Sequence, residues 1–246
     1  MIATRQLARE FGPHRVLQDV AFDAAPGERV ALTGCNGAGK TTLLRILATV
    51  LPATAGFAEV AGLDVFADSE AVRAAVGYLP EHAPAYADMG VAEYLKFRGR
   101  LRRMGRLHLR RRLHEVIQFC DLAPLRNAPV ATLSNGYRRR LCIADAILHE
   151  PAVLLLDDPL AACDPWQAEK LSEMLAAPEV CASRTLLFAT HSRELVQAVA
   201  TRILFLDRGR IAADVPGAAC LRDHSLQEMF GTWRAEAESG VAGGAA

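Results

Sequence analysis

The sequence predicts an α/β fold: a parallel sheet flanked by helices, preceded by an antiparallel β region and interrupted by a helical insertion. Three observations carry this. Gly34-Cys35-Asn36-Gly37-Ala38-Gly39-Lys40-Thr41 has the spacing G-x-x-x-x-G-K-T, with an apolar strand before it and a helical stretch after it. The apolar run Val153-Leu154-Leu155-Leu156 ends in Asp157-Asp158, as a buried parallel strand does when it carries acids to its C-terminal edge. Over residues 85–150, β-branched runs disappear and helical periodicity takes over.

Length and composition fit this reading. At 246 residues and 51% hydrophobic content, the chain can build one large α/β domain, or a core with one insertion. Its 28 Lys and Arg balance 28 Asp and Glu, so bulk charge argues against a polyanionic partner, and no direct nucleic-acid contact is expected. The six cysteines are scattered, with no C-x-x-C pair and no zinc-like spacing, and read as small buried residues in a reducing compartment. The first ten residues lack an apolar signal core, and no apolar run approaches the roughly 18 residues of a membrane span. The expectation is a cytoplasmic chain that reaches a membrane only through a partner.

Taken in order, residues 1–33 read as β structure. Residues 16–22 partly alternate, Pro26-Gly27 marks a turn, and residues 29–33 form the strand before the glycine-rich loop. Phe11 precedes Gly12 at the tip of the first hairpin, where a flat ring could be core or could stack on a purine base. Residues 42–48 read as a helix ended by Leu51-Pro52. A strand at 57–60 and a turn at Gly62 follow, then a short helix at 69–75 capped by Asp68 or Ser69. A strand at 76–79 ends in Pro80-Glu81. The insertion carries helices at 91–103, 107–120 and 135–149. The core then resumes with the strand ending at Asp157. A helix at 165–177, a strand at 185–190 delivering His191, a helix at 192–200 and a strand at 202–207 complete it. The segment from about Arg234 is rich in Ala, Gly and Glu and reads as a flexible tail.

The glycines of the loop let successive backbone N–H groups point into one concavity at a helix start, which is an anion nest. Lys40 would then reach the β- and γ-phosphates, and the Thr41 hydroxyl would ligate Mg²⁺. Gly34, Cys35, Asn36, Gly37, Ala38, Gly39 and Thr42 complete the cradle.

The loop alone does not say which nucleotide enzyme this is. Leu133-Ser134-Asn135-Gly136-Tyr137, some twenty residues before Asp157, is the selective feature. With it, the chain resembles the nucleotide-binding subunit of ATP-binding cassette transporters over residues 1–225. The stretch from Gly77 to Pro84 and the Ser-Asn-Gly-Tyr wording resemble the subfamily that serves ABC-2-type exporters.

That resemblance implies a RecA-like P-loop NTPase core at 1–84 and 150–225, with an N-terminal antiparallel β subdomain. It places a helical subdomain at 85–149 and a C-terminal helix and tail at 226–246. ATP and Mg²⁺ are the implied cofactors. A second nucleotide-binding subunit and an integral membrane permease are the implied partners.

It also implies residue roles. Thr41 and Asp157 hold Mg²⁺, an acid in so apolar a setting needing a cation to answer it. Glu81 stands where relatives carry a glutamine near the metal and the attacking water. His191 senses the γ-phosphate, and Phe11 stacks on the base. Ser134, Asn135 and Gly136 bring a helix start to the nucleotide of the other subunit. Asn135 replaces a glycine, and its tolerance of left-handed backbone would keep the turn. Cys163 replaces a leucine before the retained Asp164 of the interface loop.

Asp158 occupies the place of the glutamate that polarises the attacking water and is one methylene shorter. Two readings follow: a slow but real hydrolase, which we favour, or a nucleotide-gated binding subunit that relies on a competent partner. Arginines 98, 100, 102, 103, 106 and 110–112 form a basic run, read as a solvated helical face. The sharper alternative for it is contact with the permease or with anionic lipid, and nucleic acid is a third, weakened by the lack of interleaved aromatics and the zero net charge.

Overall fold

The computed structural model describes residues 1–82 and 86–217. Two sheets share the work. The first is antiparallel: β1 (Ile2–Phe11), β2 (His14–Ala24), β4 (Ala55–Val60) and β5 (Leu63–Asp64), in the order β2-β1-β4-β5. The second comprises β3 (Arg29–Thr33), β6 (Val76–Leu79), β7 (Val153–Asp157), β8 (Thr185–Ala189), β9 (Arg202–Asp207) and β10 (Arg210–Pro216). Its order is β10-β9-β3-β8-β7-β6, parallel throughout except for the antiparallel edge strand β10.

Strands covered on both faces should read as unbroken apolar runs, and β7 and β8 are buried along their whole length. Their side chains still alternate between two cores, as the strand period of two requires. Leu154, Leu156, Leu186 and Phe188 pack in one cluster, under the helices of the insertion. Val153, Leu155, Leu187 and Ala189 pack in the other, with Leu43, Leu44 and Leu47 of α1 (Lys40–Leu47) and the antiparallel sheet.

The helices are α2 (Ser69–Ala75), then α3 (Val91–Leu101), α4 (Arg106–Phe119) and α5 (Asn135–Ile147) of the insertion, and α6 (Pro165–Ala176), α7 (Pro178–Cys181) and α8 (Arg193–Val199) of the resumed core. Short 3₁₀ turns at Ala123–Leu125 and Val130–Thr132 link α4 to α5. α5 is buried on nearly every side, including Arg139, Arg140 and Asp145. Among the described residues, no helix is long and apolar enough to cross a membrane.

Several expectations shift at the edges. α3 stops at Leu101, because Arg102 is its cap and Arg103 takes a left-handed φ of 56° before Gly105 starts α4. Strand β10 and the short elements β5 and α7 were not anticipated. β10 alternates half-buried Ile211, Ala213 and Val215 with exposed residues, a pattern too weak to stand out without β9 beside it. The helix and tail expected at 226–246 lie outside the described residues.

Candidate functional site

The site forms where parallel strands end. β3 delivers the glycine-rich loop, β7 delivers Asp157 and Asp158, and β8 leads through Thr190 to His191. These ends enclose a cleft of about 620 Å³ lined by Asn36, Gly37, Gly39, Lys40, Thr41, Thr42, Glu81, Asp157, Asp158 and His191, among others.

The loop needs its glycines for space as well as for backbone freedom. Gly34 and Gly39 have φ of 145° and 108°. A Cβ on Gly34 would sit 2.0 Å from the Leu206 carbonyl oxygen, and one on Gly39 would sit 2.7 Å from the Leu17 side chain. The loop is thus pressed onto β9 and β2 and cannot relax outward. Ala38 is buried, and its carbonyl accepts from the Gly209 N–H at 3.1 Å. Lys40 Nζ donates to the carbonyls of Gly34 at 2.7 Å and Cys35 at 2.9 Å, so the ammonium closes the loop on itself. Burial pulls the Lys40 pKa down, while Cys35, Asp158, Asp157 and Glu81 work against that.

α1 starts at this loop with no side-chain cap and no acid in its first turn. Its leading N–H groups are therefore available to an anion. Ser134, Asp164 and Ser192 cap α5, α6 and α8, whereas α2, α4 and α7, like α1, have no side-chain cap, so it is the glycine-rich loop beside it that sets the α1 start apart.

Beside that helix start, the Thr41 hydroxyl donates to Asp157 Oδ1 at 3.1 Å. Asp157 is 2% exposed, and its Oδ2 is buried without a hydrogen-bond partner. Burial holds its carboxyl above the usual carboxylate range, with Thr41 opposing and Glu81 adding to the rise. A buried, half-satisfied carboxylate next to a hydroxyl is a donor set short of a cation. Mg²⁺ fits it, since that ion is held by one or two protein oxygens and completed by water and phosphate.

Asp158 has a left-handed φ of 43°, a costly conformation for a residue with a side chain. It is fixed from both sides. Its N–H donates to the Ala189 carbonyl at 2.9 Å, and its own carbonyl accepts from Arg139 Nη2 and from the Ala161 N–H. Burial raises its carboxyl pKa, with His191 and Arg139 opposing. Burial, followed by Lys40, lowers that of His191. A carboxyl and an imidazole displaced towards their neutral forms thus share the cleft.

Two expected groups lie apart. Phe11 is exposed at the hairpin tip and does not line the cleft; the Arg9 guanidinium covers its ring at 4.4 Å. Ser134, Asn135 and Gly136 also do not line it. Ser134 Oγ accepts from the Tyr137 N–H at 3.4 Å as the cap of α5. Asn135 enters the helix directly, so the left-handed tolerance invoked for it is not used. Gly136 lies against α6, where a Cβ would meet Gln167 at 2.7 Å. Asp164 Oδ1 accepts from the Gln167 N–H at 2.9 Å, giving it a local structural role.

Most of the basic run is a solvated face, with Arg100, Arg103, Arg106, Arg110 and Arg111 exposed, while Arg98, Arg102 and Arg112 turn partly inward. Arg98 pairs with Asp145 at 2.9 Å, Arg103 with Glu70 at 3.4 Å, Arg111 with Glu115 at 3.5 Å and Arg112 with Glu115 at 2.5 Å. Arg102 lies against His149. Part of the run borders a second and larger cleft of about 940 Å³, between α2 and β6 on one side and α3 and α5 on the other.

Sequence reasoning missed Arg139. It lies in the triplet Arg138-Arg139-Arg140, which spans too wide an arc of a helix for all three to face solvent. On a helix apolar from Leu141 onward, that was the available signal.

Residues 17–161 match the ABC transporter family. The chain is 35% identical over 206 residues to the daunorubicin resistance ATP-binding protein DrrA3 of Streptomyces coeruleorubidus, covering 84% of this chain and 65% of that one. It is 36% identical over 214 residues to the sulfate/thiosulfate import ATP-binding protein CysA of Burkholderia mallei, covering 85% and 61%. The chain therefore spans less than two-thirds of either relative's length. In fold it is similar to the dimeric, post-hydrolysis state of the ATP-binding cassette MJ0796 bound to ADP and Pi, with a TM-score of 0.79 at 21% identity, covering 88% of this chain and 98% of that one.

Proposed function

The chain belongs to the ABC transporter ATP-binding family, and from that premise we propose that it binds ATP with Mg²⁺, hydrolyses it slowly, and drives a separate integral membrane permease from the cytoplasmic face. The observation that carries the reading is Thr41 beside the half-satisfied Asp157 at the uncapped start of α1. Thr41 and Asp157 would hold the ion, with Glu81 at the rim of the same cleft. When bound, Mg²⁺ supplies positive charge to the phosphate oxygens.

The chain's own groups do the rest. The loop amides and Lys40 bind the phosphates, Lys40 exchanging its carbonyl partners for phosphate oxygens. Asp158 orients the attacking water and accepts its proton. His191 donates a hydrogen bond to the terminal phosphate, which its lowered pKa allows it to do as a neutral ring. Ser134, Asn135 and Gly136, remote from their own cleft, would complete the cleft of a second copy or a related chain. Equilibrium binding tests the core of this. Lys40→Ala or removal of Mg²⁺ with chelator is expected to weaken ATP binding at least tenfold; unchanged affinity in both would sink the proposal.

One relative is named for resistance and the other for import, at nearly equal identity, so their names do not decide the direction of transport. Export is favoured here by the ABC-2-like wording at residues 77–84 and 134–137. Identification of the permease that co-purifies with the chain decides it. We assign the permease contact to the 940 Å³ cleft, where exposed Val50 and Leu101 lie beside Arg73 and Arg103.

The short side chain and pinned backbone of Asp158 support a second reading, a subunit that closes on ATP but relies on a competent partner chain for turnover. Dimer formation on MgATP without measurable ATPase would favour it.

A further inference from the structure

We propose that Arg139 is a positioning residue that holds the two catalytic turns, Pro80-Glu81 and Asp157-Asp158-Pro159, in register and ties them to helix α5. Arg139 is only 6% exposed, and the acceptors of its guanidinium are all backbone carbonyls. Nε donates to Pro159 at 3.0 Å. Nη1 donates to Pro80 at 3.0 Å and to Glu81 at 2.8 Å. Nη2 donates to Asp157 at 2.9 Å and also to Asp158. An arginine has five N–H donors, and here each has an acceptor.

Those five carbonyls sit at the C-terminal ends of β6 and β7, neighbouring parallel strands in which Leu79 pairs with Leu156. Beyond these ends the ladder stops, and the two turns would otherwise be free to separate. Arg139 replaces the missing ladder with a planar fork. The Asp158 carbonyl belongs to a left-handed residue, a conformation that persists only where its surroundings fix it. Arg139 supplies part of that fixing.

The position of this arginine in the chain gives the contact its reach. It lies in the second turn of α5, whose first turn carries the Ser134 segment. A rigid helix passes any displacement of its start directly to the guanidinium. Engagement of Ser134 by the nucleotide of a facing chain is therefore felt at Glu81 and Asp158 of this one. This inference rests on the ATPase reading above and extends it, because it names the part through which one site reports to the other.

Arg139→Gln and Arg139→Lys, in the full chain, test it. Glutamine keeps one short donor group and loses the fork; lysine keeps the charge and can satisfy only some of the five carbonyls. The expected result is that MgATP affinity stays within about twofold of the parent and KM within about threefold. The turnover number should fall about 10²-fold in the Gln variant and less in the Lys variant, as a displacement on the order of 1 Å does. Amide exchange at Glu81, His82, Asp158 and Leu160 should accelerate in both variants, with the loop amides from Asn36 to Thr42 unaffected. Should the Gln variant not fold, the Lys variant carries the same readouts. Turnover within twofold of the parent, or a loss that appears as raised KM, or unchanged exchange at those four amides, overturns the proposal. A parent that binds no MgATP refutes the ATPase reading instead, and the exchange readout still judges Arg139 by itself.

Discussion

At the scale of the residue, the site is a set of unmet demands. Asp157 is buried with one oxygen unpaired, and its ionised form costs stability at neutral pH because burial has raised its pKa. In chelator, Asp157→Asn should therefore unfold at higher denaturant than the parent, by about 1 kcal/mol. The same variant should lose the stabilisation that MgATP gives the parent. A variant that is destabilised without Mg²⁺ would contradict this account. Asp158 poses a question of reach. Its backbone is fixed by the Ala189 carbonyl and by Arg139, so it cannot advance to make up the missing methylene. Asp158→Glu should raise ATP turnover on the order of tenfold, within what recovery of a sub-ångström gap can give. No gain in steady-state rate would remove reach as the ground for the slow hydrolysis proposed above. The loop, Asp157, Asp158 and His191 were legible because each ends or follows an apolar run. Arg139 was not, since its acceptors lie 18 to 20 and 58 to 59 residues away in sequence.

At the scale of the element, the joint between the insertion and the core is electrostatic as well as apolar. Arg98 of α3 meets Asp145 of α5, and Arg102 lies against His149, whose ring Nε2–H donates to the carbonyl of Val76 in β6 at 3.1 Å. The His149 pKa is pushed down to about 3 by burial and by Arg102, with Arg184 and Arg98 adding to it and Val76 opposing. The sign follows from which state binds the proton. The unfolded chain takes it up near pH 6.5 and the folded chain only near 3, so acid favours unfolding between those values. His149→Gln should lose less stability than the parent between pH 6.5 and 5, the difference in slope approaching about 1.4 kcal/mol per pH unit at the acid end. Denaturant melts of both chains across that range measure it. Subtracting the two curves removes His191, which acts in the same direction. A parent and variant with parallel curves would mean that His149 is already neutral in the unfolded chain or charged in the folded one. The basic run that includes Arg102 looked like a solvated face in sequence. For Arg100, Arg103, Arg106, Arg110 and Arg111 it is one, whereas Arg98, Arg102 and Arg112 turn partly inward, against Asp145, His149 and Glu115.

At the scale of the whole molecule, the placement of α5 is decisive. Its N-terminal residues do not line the cleft built by the loop, β7 and β8, which leaves the proposed nucleotide site open on one side. A second chain is expected to cover it. In Asp158→Asn, where hydrolysis is blocked, MgATP should convert monomer to dimer, and Ser134→Arg in that background should prevent the conversion. Light scattering during size-exclusion chromatography reads both outcomes. A Ser134→Arg protein that still dimerises would place the second chain elsewhere.

The sequence by itself determined the elements that site chemistry depends on locally. The G-x-x-x-x-G-K-T loop between a strand and a helix, and the acids ending β7, need only neighbouring residues and a period of two or 3.6 to be read. Tertiary structure alone decided which strand ends meet, which arginines are spent inside, and that Arg139 joins β6 to β7. Those outcomes depend on backbone carbonyls, which every residue carries alike and which no residue type announces. Only the sheet order places them within reach of one guanidinium.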